Sequence, residues 1–314
     1  MSRPVLVSGG GGAAAISTIK ALRLGGFDGR IISTDAEPLS AGLYLADGFR
    51  VVPKAKAPGF FPAVRQLIED EGIGVIFPTS GFDIYEFARH RRELEAMGVV
   101  VAMSDLDAME TCANKWEFYQ KTHGAFPMPE TGRDPSTWSR FPCFAKPVRG
   151  KGSRDSYRCN TRDELLYHCA HTPDLLIQEY LPGEEYTVDV LSDLAGTPLL
   201  AVPRARLETK DGISSKGRVF RDPEMEGLSL DIARYLHLKG PTCVQLKRDQ
   251  AGQLKFLEIN PRIGGGSMFT TLAGVNIPML LLGLIAGTEL ALPTPNEIVV
   301  LRYYEEVVLD ARQR

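Results

Sequence analysis

The sequence predicts two architectures in series: an α/β domain with a doubly wound parallel sheet, then an α+β half made of two subdomains. Three observations predict this. Up to Ser104, short apolar strands alternate with helical stretches, the pattern of a parallel sheet with helices on its faces. Beyond Ser104, strands follow one another with few helices between them, as in meandering antiparallel sheets. The length of 314 residues holds two or three modest cores. The expected boundaries are 1–105 for the first domain, 106–180 for a small subdomain carrying a lid hairpin, and 181–314 for a large one.

In order along the chain, "PVLVSG" reads as a short buried strand. "AAISTIKALRLGG" has helical spacing at Ile16, Ile19 and Leu22 and a glycine stop at Gly25-Gly26. "RIISTD" is a second strand, "FPAVRQLIEDEG" a helix and "VIFPTS" a third strand. "IYEFARHRRELEAMG" reads as one helix with Ile84, Phe87, Leu94 and Met97 inward, and "VVVAMS" as a fourth strand. "SDLDAMETCANKWEFYQKTHG" is one or two helices with Ser104 as a cap. "FPMPETGRDPSTWSRFP" is a Pro-rich surface connection with a short strand. "CFAKPVRGKGSRDSYRC" reads strand, basic glycine loop, strand: a hairpin with a long tip. "DLLIQEYLPGEEYTVDVLSD" and "PLLAVPRARLETK" are further strands, and "LSLDIARYLHL" is a helix. "TCVQLKRDQAGQLKFLEINP" is a hairpin about Ala251-Gly252. "IPMLLLGLIAG" is too short to span a bilayer and reads as a buried core helix.

Apolar residues at 44% and charged residues at 24% argue against disorder. A net charge of −3 gives no electrostatic footprint for nucleic acid or an anionic membrane surface. Cys112, Cys143, Cys159, Cys169 and Cys243 are scattered, without a C-x-x-C pair. They read as free thiols in a reducing cytoplasm. No basic-then-apolar leader opens the chain, so no signal peptide is expected. His168 and His171 have a spacing that suits a metal on a helix, but they stand on a stretch rich in polar residues, which weighs against a metal site.

"VLVSGGGGAAAIST" (5–18) raises a specific question. Its Gly9-x-Gly11-x-x-Ala14 spacing, with Asp35 ending the next strand, fits a dinucleotide fingerprint. Taken alone it implies an NAD-dependent dehydrogenase.

The later half carries a different chemistry. Glu258 and Asn260 are two apart on a strand, so their side chains share a face, with Leu257 and Ile259 toward a core. A hairpin turn at Ala251-Gly252 sets Gln245 roughly opposite Glu258. Three oxygen-bearing side chains then converge as Mg²⁺ ligands, or as the polar outer face of an edge hairpin. Arg262 follows and can clamp a transferred phosphoryl group. In "FAKPVRGKGSRDS", Lys146 ends an apolar strand, and Gly150, Gly152 and Ser153 suit a phosphate-binding tip or a solvated basic one. In "IQEYLPGEEYTVDV", Glu179 with the backbone at Tyr180 and Leu181 can read adenine, and Glu185 can hold ribose hydroxyls. Arg204 and Arg206 share a strand face, near Lys210 and Lys216, and form a candidate carboxylate clamp.

Taken in order with "NKWEFYQKTHGAFPMPET", which contains Lys115, these blocks resemble the ATP-grasp superfamily over residues 105 to 290. The resemblance is nearest to the carbamoyl-phosphate-synthase-like branch, which also has a comparable domain ahead of the grasp. It implies a carboxylate–amine ligase that releases ADP through an acyl phosphate, with bicarbonate or carbamate activation as the alternative. It implies ATP with Mg²⁺ or Mn²⁺ as cofactors, small carboxylate and amine substrates of amino-acid-like type, and a homodimer. By the same resemblance Lys115 and Lys146 contact phosphates, Gly150, Gly152 and Ser153 form a lid, and Glu179, Tyr180, Leu181 and Glu185 hold the nucleoside. Gln245, Glu258 and Asn260 surround the metal, and Arg262 lies beside the reacting phosphate. The first glycine loop then belongs to a domain that shapes the substrate side. Two departures stand out: Arg154-Asp155 in the lid, and a thinned acidic pair, Asp83 and Glu86, before the helix at Ile84.

Overall fold

The computed structural model describes residues 2–150, 152 and 154–310. The first domain runs β1 (Val5–Ser8), α1 (Ala13–Leu24), β2 (Ile31–Asp35), α2 (Ala41–Leu45), β3 (Gly48–Val51), α3 (Phe60–Glu71), β4 (Val75–Phe77), α4 (Ile84–Arg89), α5 (Arg91–Ala96) and β5 (Val100–Val101). Its five strands are all parallel, in the order β3-β2-β1-β4-β5. The direction of winding reverses between β1 and β4, so the loops after these strands meet at the carboxyl edge. The doubly wound prediction holds, with α2 and β3 added between the expected second strand and helix. The helix expected over 84–98 is split at His90, whose ring stacks on Phe61 at 3.6 Å between centroids.

The next elements are α6 (Leu106–Ala113), α7 (Lys115–Thr122), β6 (Thr131–Gly132), β7 (Cys143–Pro147), β8 (Tyr157–Cys159), α8 (Arg162–His171) and β9 (Leu175–Glu179). Asn114 separates the first two helices and caps the second, its side chain accepting from the Trp116 and Glu117 amides. Ser104 is not a helix cap. Asp105 takes the position before α6, and the Ser104 hydroxyl instead donates to the Lys239 carbonyl and accepts from the Lys239 amide. The four strands form an antiparallel sheet, β6-β9-β7-β8, over a core with Trp138, Leu165 and Ile177.

The chain closes with β10 (Glu185–Ser192), β11 (Pro198–Lys210), β12 (Ile213–Val219), α9 (Pro223–Tyr235), β13 (Gly240–Arg248), β14 (Leu254–Asn260), α10 (Ser267–Leu272), α11 (Ile277–Ile285) and β15 (Ile298–Leu301). Their six strands make a second antiparallel sheet, β14-β13-β10-β11-β12-β15.

Packing refines the expected division. Cys112, Phe118 and Met128 share a core with Val188, Val244 and Phe256 of the six-stranded sheet. The helical part of 106–180 therefore packs on the large sheet, and the four-stranded sheet has its own core. Val5, Ile19 and Leu22 of the first domain share another core with Val202, Phe269 and Leu281. The apolar α11 is a core helix as expected, and Asn276 at its start donates to the Ala21 carbonyl of α1. Among the described residues no helix is long and apolar enough to cross a membrane.

Candidate active site

The two antiparallel sheets enclose a cavity of about 490 Å³. Its walls bring together Lys115, Lys146, Gly150, Gly152, Glu179, Tyr180, Leu181, Glu185, Arg206, Gln245 and Glu258. A smaller cavity of about 110 Å³ adjoins it, lined by Arg204, Arg206, Arg262, Asn260 and Gly264–Gly266. Arg206, Gly212 and Gln245 belong to both. Ser153 and Lys151 lie outside the described residues.

The β13–β14 pairing builds the oxygen cluster. Gln245 is directly opposite Glu258, and Asn260 Nδ2 donates to Glu258 Oε1 at 3.2 Å. The register shifts after Gln245, where Leu246 faces Phe256. Leu257 is thus the extra residue of a β-bulge. It was expected to face the core; the bulge turns it into the large cavity, whose lining also includes Phe144, while Phe256 takes the core position. These two apolar walls are signals that strand alternation alone misses.

Two lysines converge on the same carboxylate side. Lys115 opens α7, where its ammonium donates to the Gly150 carbonyl at 3.1 Å and lies 3.8 Å from Glu258 Oε2. Lys146 is the penultimate residue of β7 and is buried. Burial pushes its ammonium down to about 8, opposed by Glu258 and reinforced by Lys115. A desolvated ammonium with no paired acid at hydrogen-bond distance is complementary to an entering phosphate.

At the other end, Glu179 pairs with Arg140 at 2.6 Å. Tyr180 is flanked by the Arg158 guanidinium, 4.4 Å from its ring centroid. Leu181 is buried. Glu185 is bonded by Arg206, which also donates to the Gly212 carbonyl. Gly212 follows Asp211 in the two-residue turn joining β11 to β12, both at positive φ. That turn reaches the lid: a Cβ on Gly212 would come within 3.6 Å of Gly152 Cα. Arg154, one of the departures, lines the large cavity, and Asp155 adopts a positive φ of 53°.

Arg204 and Arg206 are not a free pair, as their shared face suggested. Arg204 is 2% exposed, and its Nε and one terminal nitrogen bond both oxygens of Asp189 at 2.8 and 2.9 Å. Thr270 also donates to Asp189. The partner is invisible to local spacing because it comes from the neighbouring strand. The remaining nitrogen of Arg204 lies beneath Gly266, where a Cβ would approach it to 2.5 Å. Arg262 spends one nitrogen on the Ile263 carbonyl and turns to the small cavity. Cys243, in the same wall, is a buried thiol pushed up to about 12 by burial, beside Asp189.

The N-terminal glycine loop is occupied from within. The Gly10 amide donates to the Thr34 carbonyl, the Gly11 amide to Asp35 Oδ2 at 2.8 Å, and the Gly12 amide to the Gly9 carbonyl. Asp35, in the place of a ribose acid, thus closes its own loop. This weighs against the dinucleotide reading, because the Gly10, Gly11 and Gly12 amides are already bonded and cannot receive a pyrophosphate. His168 and His171 do not converge on a metal either: His168 stacks on Tyr157, and His171 bonds the Tyr167 carbonyl.

Two antiparallel sheets closing on one polar cavity is the arrangement that the sequence resemblance implies, and comparison with known proteins agrees: part of the chain matches an ATP-grasp family model. More particularly, residues 171–307 match the family described as ATP-grasp in the biosynthetic pathway with Ter operon, and residues 5–102 match the PylC-like N-terminal domain. A D-alanine–D-alanine ligase of Aquifex aeolicus (strain VF5) is 24% identical over 135 residues, 39% of this chain and 46% of that ligase. Its counterpart in Fusobacterium nucleatum subsp. nucleatum is 29% identical over 147 residues, 43% of this chain and 51% of that ligase. The match thus spans about half the length of these curated relatives. Among solved structures, the biotin carboxylase domain of Hydrogenobacter thermophilus 2-oxoglutarate carboxylase superimposes with a TM-score of 0.71 at 19% identity, over 92% of this chain and 70% of that one. N5-carboxyaminoimidazole synthetase from Staphylococcus aureus gives 0.72 at 15% identity, over 93% and 79%.

Proposed function

We propose that this chain is an ATP-dependent, ADP-forming ligase. It activates a small carboxylate as an acyl phosphate, and an amine or similar nucleophile then displaces phosphate. The observation that carries this reading is the junction of the two cavities at Arg206, Gly212 and Gln245. A large cavity with two lysines opens there onto a small one lined by three guanidinium groups and, among the described residues, no acid. A phosphate chain in the first would present its outer end to an anion in the second.

In this reading Lys115 and Lys146 hold inner phosphates under Gly150 and Gly152, joined by Ser153 from the sequence resemblance. Glu179, Tyr180 and Leu181 meet the adenine, between Phe144 and Leu257, and Glu185 meets the ribose. Glu258, Asn260 and Gln245 offer one charged and two neutral oxygen donors on adjoining strands. That set suits Mg²⁺ or Mn²⁺ when phosphate oxygens complete the shell. The ion supplies charge neutralisation in phosphoryl transfer, a reaction that needs positioning and electrostatics more than covalent help. Arg262 stabilises the transferred phosphoryl group. Arg206 and the free nitrogen of Arg204 orient the acid, with Asp189 holding the Arg204 plane.

The D-alanine–D-alanine ligases among the relatives favour amino-acid-like substrates, and bicarbonate or carbamate activation is the less favoured alternative. The same reading takes the chain as a cytoplasmic homodimer divided near residues 105 and 180. The test is a screen of amino acids and small acids with MgATP, with the nucleotide product resolved by chromatography and hydroxylamine present as a trap. ADP with a hydroxamate is expected. Stoichiometric AMP would overturn the mechanism. Calorimetry should show MgATP binding and no binding of NAD.

A further inference from the structure

The glycine loop after β14 has a clamp behind it. Gly264, Gly265 and Gly266 line the small cavity, and none of their amides bonds another group among the described residues. The Gly265 carbonyl, by contrast, receives the guanidinium of Arg302, with Ser17 Oγ of α1 at 3.4 Å from the same oxygen. In a trans peptide the carbonyl and the following N–H point to opposite sides of the chain. Pinning the Gly265 oxygen away from the cavity therefore turns the Gly266 N–H toward it.

Arg302 is itself held on three counts. It follows β15, its amide donates to the Ser215 carbonyl at 2.9 Å, and its guanidinium lies 5.1 Å from the centroid of the Phe269 ring. Burial, and then the nearby Arg204 charge, push this guanidinium down from its ordinary range. It stays charged, and a partly desolvated cation makes a stronger bond to a carbonyl than a solvated one. A Cβ on Gly265 would meet Ala13 and Ile213, each at 3.5 Å, so the loop rests against the starts of α1 and β12. The loop is thus gripped by the last strand and the first domain together, while its amides remain free.

We infer that Arg302 is a positioning residue of the proposed ligase: by holding the Gly265 carbonyl it presents the Gly266 amide to the oxygen that gains charge when the activated acyl group is attacked. The inference rests on the ligase reading for that role. The loop geometry can be tested without it. Amides preorganised at a developing oxyanion are worth most in turnover and little in nucleotide binding. Neither cavity includes Arg302 among its walls, so it acts through the loop.

The experiment compares Arg302→Ala and Arg302→Lys in the full chain. Hydrogen exchange should rise over 263–268 in Arg302→Ala, with the rest of the chain unchanged. MgATP affinity by calorimetry should stay within about twofold. Loss of a group orienting a catalytic one typically costs about 10–100-fold, and kcat for hydroxamate formation should fall by that range. Added guanidinium ion should restore part of it, and Arg302→Lys should retain more activity than Arg302→Ala. Rescue by guanidinium separates a local bond from general loss of fold, which melting temperature checks. Unchanged exchange over 263–268 overturns the inference, whatever happens to turnover. So does kcat within threefold of the parent, or a loss that guanidinium leaves untouched. If the parent chain activates no acid, the ligase reading fails and the exchange measurement alone decides whether Arg302 holds the loop.

Discussion

The chain has two glycine-rich loops that end a strand and lead into a helix, and they behave in opposite ways. In the first, Gly9–Gly12, three amides are bonded to Thr34, Asp35 and Gly9. Its glycines are required by the protein's own packing: a Cβ on Gly9 would sit 2.7 Å from Ser80 Cβ, and one on Gly11 2.8 Å from Ser40 Oγ. In the second, Gly264–Gly266, the residues line a cavity and, among the described residues, only their carbonyls are bonded. Glycine allows close approach in both. In the first loop what approaches is the fold itself, and in the second it is space beside Arg262. A glycine motif becomes a ligand site only when its donors are left unspent.

The comparison can be broken at the second loop first, where the largest effect is expected. Glu258→Ala removes the one charged member of the oxygen cluster and should lower turnover by about 10²-fold or more. Glu258 is partly exposed, so its melting temperature should change little. Turnover within a few-fold of the parent would remove the metal assignment.

Alanine at the two loops sharpens the contrast. In Gly266→Ala the new methyl would meet Arg204, whose plane is fixed by Asp189. Overpacking of this kind costs about 1–3 kcal/mol, and here it should appear as a roughly tenfold loss of turnover. Gly9→Ala places a Cβ at a φ of 73° against Ser80. Strain there should cost about 1–3 kcal/mol of stability, seen as a lower melting temperature with MgATP affinity unchanged. Equal losses of activity from both substitutions would erase the distinction.

Lys146 gives a pH test of the nucleotide end. Its folded pKa is about 8 against 10.5 unfolded, and phosphate needs the charged form. MgATP affinity should fall as pH rises through 8, and Lys146→Gln should flatten the profile. Stability of the free protein should move the other way. Between 8 and 10.5 the unfolded chain binds more protons, so stability rises with pH in that window.

The smallest effect belongs to the first loop's neighbour, Asp83, which is buried with Oδ1 unpartnered. Burial pushes its carboxyl up to about 7. Between 3.8 and 7 the folded state binds more protons, so stability falls as pH rises across that range. Asp83→Asn should remove this slope, raising the melting temperature at pH 8 relative to the parent but not at pH 4. Parallel curves for the two proteins would show that Asp83 does not titrate there.

Much of this molecule could be read without coordinates, wherever the relevant residues are near in sequence. Period-two alternation placed Glu258 and Asn260 on one face, and the Ala251-Gly252 turn set Gln245 across from Glu258, because hairpin register follows turn position. Strand–helix alternation was enough for the parallel sheet. The strand β3 was missed because its residues alternate between half-buried and exposed, without the buried apolar run that marked β1 and β4. The tertiary structure alone decided how charges and donors are shared. It set Asp189 against Arg204 through the pairing of β10 with β11, brought Lys115 to Glu258 across the cavity, and moved Leu257 to the cavity wall by a bulge. It also closed the first glycine loop with Asp35 and left the second open behind Arg302. A sequence lists donors and acceptors. Which of them are already satisfied depends on contacts between distant segments, and that satisfaction separates a structural loop from a binding one.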